Sequence, residues 1–163
     1  MEDELNKALL NDDDLIAVVR SHIYVERLLN RLIETMLPFP DRFAHTRMGW
    51  PQRVDLAMSL GLKRQFGPPL KKLGTIRNRF AHEAEAVIEK KDATDLFGTL
   101  DSEERDLVLR AFDMTEKNRD KNSTRQFSDL TPKDQFTLIV VTLHSMLLAA
   151  ISTLTGESLD EHS

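Results

Sequence analysis

Three residues near the middle of the chain, Arg77, Asn78 and His82, have types and a spacing suited to chemistry on a phosphate. A guanidinium group is always charged and binds phosphate oxygens, and an imidazole can accept or donate a proton near neutral pH. An amide can hold such a ring in one orientation. Taken singly, neither residue indicates a function, because a surface histidine is most often only solvated and the aliphatic part of an arginine side chain often packs on the edge of the hydrophobic core. The combination favours acid–base chemistry beside a fixed positive charge.

The element that positions these residues is a predicted helix from Gly67-Pro68-Pro69 to about Glu89, because proline is well tolerated in a first helical turn. At 100° per residue, Asn78 and His82 fall opposite its apolar face and are neighbours on the outer surface. Arg77 lies at the boundary of that face. The apolar positions recur at steps of three and four residues: Leu73, Ile76, Phe80, Ala84 and Val87.

Four other helices are predicted from apolar periodicity and from capping residues. They run from Asn11 to Leu37 with Asn11 or Asp12 as the cap, from Gln52 to Leu60 before Gly61, from Asp101 or Ser102 to Lys117, and from Thr131-Pro132 to Thr155 before Gly156. No alternating strand pattern is present. The sequence therefore predicts an all-α helical bundle of about five helices.

A length of 163 residues predicts a single domain. Frayed ends are expected at 1–10 and 156–163, and the polar segment 118–130 is expected to be a mobile loop. The stretch from Phe136 to Leu154 has no charged residue and approaches the length of a membrane span. Its polar residues and helical apolar spacing favour a buried helix at the centre of the bundle over a membrane helix.

Composition excludes several kinds of site. The chain has no cysteine, which excludes disulfides and thiolate zinc sites and suits a cytoplasmic protein, and its N-terminus is acidic where a secretory signal is basic. The three consecutive aspartates, Asp12-Asp13-Asp14, are better explained as a helix cap than as a metal site. No metal and no cofactor are expected. The net charge of -5 disfavours a protein that binds nucleic acid over its whole surface, but it allows a local basic site around Arg77 and Arg79.

The segment Ile76-Arg77-Asn78-Arg79-Phe80-Ala81-His82 resembles the Arg-Asn-x-x-x-His motif of the HEPN superfamily. The resemblance covers about Leu15 to Val87 and extends to bacterial HEPN-like proteins related to the mannitol operon repressor family. It implies that Arg77 and His82 are a catalytic pair, that Asn78 supports them, and that the site forms in a homodimer. Glu26 on the first helix and Arg79 are the expected supporting residues. Glu26 pairs with the motif arginine or is an exposed partner of Asn30 or Arg27.

One departure concerns regulation, because HEPN toxins silenced by a nucleotidyltransferase often have Tyr two residues after the motif His, where this chain has Ala84. Two functions remain open. The first is a metal-independent endoribonuclease, toxin-like or defence-like, that cleaves single-stranded RNA and has a possible antitoxin or regulatory partner. The second is a non-catalytic regulatory or interaction module, as in mannitol operon repressor proteins. The intact motif favours the enzyme.

Overall fold

The computed structural model describes residues 5, 7, 9, 13–44, 46–83 and 85–156 of the chain. From residue 13 onward these ranges form seven α-helices and two 3-10 helices, and no strand occurs in them. The all-α bundle is thus confirmed, with more helices than the predicted five. The α-helices are α1 (Asp14–Met36), α2 (Pro40–Ala44), α3 (Trp50–Ser59), α4 (Gly67–His82), α5 (Lys90–Gly98), α6 (Ser102–Arg119) and α7 (Pro132–Thr155).

Helix ends largely follow the capping residues. The side chain of Asp13 accepts a hydrogen bond from the Leu15 amide at 2.8 Å and caps α1, whereas the predicted caps Asn11 and Asp12 lie outside the described residues. Of the two predicted caps of α6, Asp101 and Ser102, the cap is Asp101, in a reciprocal capping box with Glu104. Gly156, with φ of 69°, ends α7 in the left-handed region that glycine favours.

The largest correction concerns the motif helix, which was predicted to continue to about Glu89. It ends at His82, because Glu83 has extended backbone angles, and a separate helix, α5, begins at Lys90. Val87 is 58% exposed and does not belong to the core, where Ile88 is buried instead. The other core position predicted in this stretch, Ala84, lies outside the described residues.

The segment between the first two predicted helices and the predicted loop at 118–130 each contain a short helix. The loop before Trp50 contains α2, which starts at Pro40, and α3 starts two residues earlier than expected. The segment after Arg119 includes a 3-10 helix, Phe127–Asp129. The ring of Phe127 lies 5.3 Å from that of Phe97 and 6.1 Å from that of Phe112, so this stretch is packed against α5 and α6.

Helix α7 packs against α1, α5 and α6. This 24-residue helix contains an 18-residue window with a mean hydropathy of 1.9, and it is the one helix in the described ranges that is long and apolar enough to cross a membrane. The same properties suit a core helix, and its buried residues include Phe136, Ile139, Leu143 and Leu147. The motif helix α4 packs against α1, α3 and α5, and these three helices are therefore its neighbours in the bundle.

Candidate functional site

The motif residues lie on the outer face of α4. Leu73, Ile76 and Phe80 are buried against the bundle, whereas Arg77, Asn78 and His82 are exposed. This orientation agrees with the helical periodicity of the sequence. Three side chains suited to phosphate chemistry therefore face away from the core of the protomer.

Arg77 and Asn78 form a local pair. The Nη1 group of Arg77 donates a hydrogen bond of 3.0 Å to Oδ1 of Asn78. His82 is the last residue of α4, and its side chain makes no hydrogen bond or ion pair with any residue in the described ranges. The expected role of Asn78 in orienting the imidazole is therefore not formed in the single chain, where the amide oxygen is engaged by the guanidinium.

Glu26 projects from α1 toward α3. Its Oε1 lies 3.3 Å from Nη1 of Arg53, and its Oε2 lies 3.9 Å from Nδ1 of His22. The same Nη1 of Arg53 donates to Oδ1 of Asn30 at 2.5 Å. Within the described part of the chain, the expected pair between Glu26 and the motif arginine is thus replaced by an ion pair with Arg53.

His22 is a site residue that the sequence analysis did not single out. It is only 4% exposed, and its ring centre lies 4.2 Å from that of Trp50. Burial, together with the smaller effect of the positive charges of Arg77 and Arg53, lowers its pKa to about 4. His22 is therefore neutral at neutral pH. Its spacing of four residues from Glu26 was the available signal, but that spacing is common on helices.

Trp50 holds α3 against α4. Its Nε1 donates a hydrogen bond of 2.7 Å to the carbonyl oxygen of Leu70. The indole lies so close to Gly74 that a Cβ at that position would be 2.2 Å from Cδ1 of the ring. Gly74 therefore allows the indole to lie directly on α4, one turn before Arg77. The indole also contacts the His22 ring.

Arg79 has a different environment from Arg77. Its guanidinium forms a hydrogen-bonded ion pair with Asp92 of α5 and donates to the carbonyl oxygen of Val87 at 3.1 Å. Asp92 also accepts a hydrogen bond from the Glu89 amide at the start of α5. These contacts place Arg79 at the connection between α4 and α5. They also explain the early end of α4, since the chain must turn to bring Asp92 to Arg79.

In the described ranges, no group of three or more His, Asp or Glu side chains is placed to hold a metal ion. The groups brought together at the junction of α1, α3 and α4 are instead two arginines, one carboxylate, one neutral imidazole and two amides, with the exposed His82 at the end of α4. No protein-family model, curated protein or solved structure matches this chain.

Proposed function

We propose that this chain is a metal-independent endoribonuclease of the HEPN type, which acts in the cytoplasm and cleaves single-stranded RNA at a site shared by two protomers. The observation that carries the proposal is the exposure of Arg77 and His82 on one helix, directed away from the protomer's own core. Both side chains are accessible to a ligand, and cleavage of a phosphodiester uses a positive charge and a proton-transferring imidazole.

The reaction uses the ribose 2′-hydroxyl as the nucleophile. One His82 imidazole removes the proton of this hydroxyl, and the bond between O2′ and phosphorus forms as the bond from phosphorus to O5′ breaks. His82 of the second protomer gives a proton to the leaving oxygen. Arg77 binds the phosphate and stabilises the negative charge that develops on its oxygens. The products are a 2′,3′-cyclic phosphate and a 5′-hydroxyl, and DNA is not cleaved because it lacks the nucleophile.

Exposed apolar side chains on α1 and in the segment after α4 support a dimer. Leu15 and Ile23 on α1 are each 40% exposed, and Val87 is 58% exposed. The Ile88 amide donates a hydrogen bond of 2.8 Å to Asp14, so the connection after α4 lies against the start of α1. A twofold contact through these residues covers apolar surface that is otherwise in water and brings two copies of the motif together.

The test is cleavage of a fluorescent single-stranded RNA in the presence of EDTA by the wild type, His82→Ala and Arg77→Ala. We expect the wild type to release products with 2′,3′-cyclic phosphate ends, detected by mass spectrometry, and each variant to lose at least about 100-fold in rate, because proton transfer and charge stabilisation each contribute at this scale. Both residues are exposed, so circular dichroism should show unchanged helix in the variants.

Equal cleavage by all three proteins would reveal a contaminating nuclease. A folded wild-type dimer that cleaves no RNA, with or without added Mg²⁺, would refute the enzyme and leave the non-catalytic interaction module as the function to pursue.

A further inference from the structure

Charge is unevenly divided along this chain. Residues 14–83 contain 12 Lys and Arg against 6 Asp and Glu, whereas the rest of the chain contains 10 against 21. The helices α1 to α4, which carry the candidate site, are therefore positive within a protein whose net charge is -5. A polyanion is drawn to such a region and repelled by the remainder of the molecule.

Arg53 connects the motif to a second group of arginines. The carboxylate of Glu26 lies 3.3 Å from Nη1 of Arg53 and 3.9 Å from Nδ1 of His22, and the charges of Arg53 and Arg77 both lower the pKa of that buried ring. Arg53 also lies 5.7 Å above the ring of Phe43 in α2 and donates to the carbonyl oxygen of Met48 at 3.3 Å. Both α2 and the loop that follows it are thereby held beside the site.

Arg42 and Arg47 are carried by these two held segments. Both are exposed, and their side chains make no hydrogen bond or ion pair with any residue in the described ranges. The Thr46 hydroxyl donates to the Arg42 carbonyl oxygen at 3.0 Å, which folds the loop back toward α2 and keeps the two arginines in one region. Unlike Arg53, whose charge is balanced by Glu26, these two arginines can offer their charge to a ligand.

Phe39 adds an aromatic ring at the same end of the bundle. It is 76% exposed, the largest exposure among the large hydrophobic side chains described. Pro38 and Pro40 flank it, and a residue before proline is restricted to extended conformations, so the ring is presented on a stiff segment. Exposed aromatic rings between cationic side chains are the usual means of binding single-stranded nucleic acid, because every base has a face that can stack.

We propose that Phe39, Arg42 and Arg47 form a binding track that guides single-stranded RNA to Arg77 and His82. This inference rests on the proposed function and identifies the surface that selects its substrate. Glu34 and Asp41 border the track, but the basic residues of segment 27–53 outnumber its acidic residues by five to two. The arginines bind phosphates and the phenylalanine stacks on a base, so the track recognises an unpaired strand without reading its sequence.

The experiment measures binding separately from cleavage. A fluorescent 2′-O-methyl oligonucleotide of about 15 residues, which has no free 2′-hydroxyl and cannot be cut by the proposed chemistry, is titrated with protein at several salt concentrations, and its anisotropy is recorded. For Arg42→Gln/Arg47→Gln we expect affinity to fall about fivefold per arginine at 0.1 M salt and the slope of log K against log salt to shrink by about 1.4. Arg110→Gln/Lys117→Gln, an equal change of charge at exposed positions on α6, is the matched control and should bind as the wild type does.

Phe39→Ala should weaken binding by about 5- to 100-fold without changing the salt dependence, because stacking is lost while phosphate contacts remain. Phe39→Trp should keep the affinity. A duplex of the same length should bind less tightly than the single strand. The track is refuted if the control pair weakens binding as much as Arg42→Gln/Arg47→Gln, or if all the variants bind as the wild type does.

These results separate the two proposals. Loss of RNA cleavage in every protein, with the expected pattern of binding intact, would refute the ribonuclease and support the track. Normal cleavage, with binding unaffected by substitutions at residues 39, 42 and 47, would support the ribonuclease and refute the track.

Discussion

Replacing Gly74 by alanine should weaken this protein, although the same change strengthens most helices. Glycine inside a helix costs about 1 kcal/mol relative to alanine, so propensity alone predicts a gain. At Gly74, however, the new Cβ would lie 2.2 Å from Cδ1 and 2.6 Å from Nε1 of Trp50. These distances are far below van der Waals contact, and an indole ring packed between helices cannot bend away. The ring must move as a whole.

The cost follows from what the indole contacts. Its hydrogen bond to the Leu70 carbonyl oxygen contributes about 0.5–1.5 kcal/mol. Its contact with the His22 ring contributes about as much again, and overpacking adds about 1–3 kcal/mol of strain. After the gain in helix propensity, we expect Gly74→Ala to lower the free energy of unfolding by about 1–5 kcal/mol.

Urea unfolding followed by tryptophan fluorescence measures this change directly, because Trp50 is the only tryptophan. Gly98→Ala is the matched control, since Gly98 also lies in a helix but a Cβ there meets no atom within 4 Å. It should be neutral or stabilising by up to about 1 kcal/mol. If Gly74→Ala is as stable as the wild type and its native fluorescence is unchanged, the proposed role of Gly74 in seating Trp50 is wrong.

Three further predictions concern the dimer, acid stability and a helix cap. Ile23→Asp should yield a monomer by light scattering and abolish RNA cleavage, whereas Leu109→Asp, at a similarly exposed position on α6, should do neither; an active Ile23→Asp dimer would contradict the proposed interface. Burial lowers the pKa of His22 and of His144 to about 4, so the unfolded chain binds protons below pH 6.5 that the folded chain does not. The free energy of unfolding should therefore fall by about 2 kcal/mol per histidine between pH 7.5 and pH 5 in urea titrations, and a flat profile would contradict neutral burial. Asp101→Ala should cost about 0.5–2 kcal/mol in the same assay, because it removes the α6 cap, and no loss would show that the capping box is not stabilising.

Those features of the fold that depend on residues close together in the sequence could be predicted. Asp101, Thr131 and Gly156 marked helix ends correctly because a cap is decided by one side chain and its neighbours. The end of α4 was missed because it depends on Asp92, which lies 13 residues after its partner Arg79. The spacing of Ala84 and Val87 continued the apolar pattern of α4, and no local signal opposed it.

The candidate site also has features that could be predicted from the sequence and features that could not. The outward orientation of Asn78 and His82 follows from helical periodicity and was predictable. The surroundings of Arg77 were not, because His22, Trp50 and Arg53 come from two other helices and meet only in the folded chain. Glu26 was singled out through the HEPN resemblance, but its partner is an arginine from α3 rather than from the motif helix.

Residues 14–83 carry an excess of 6 positive charges, whereas the rest of the chain carries an excess of 11 negative charges. A twofold dimer that places the motif helices face to face would bring two positively charged segments together, and their repulsion is screened over about 10 Å in 0.1 M salt. Added salt should therefore tighten the dimer while it weakens the hold on RNA. Bound RNA should also tighten the dimer, because a negative strand between two positive faces removes the repulsion. Substrate and self-association would then be linked, and each protomer would find its partner most readily where RNA is present.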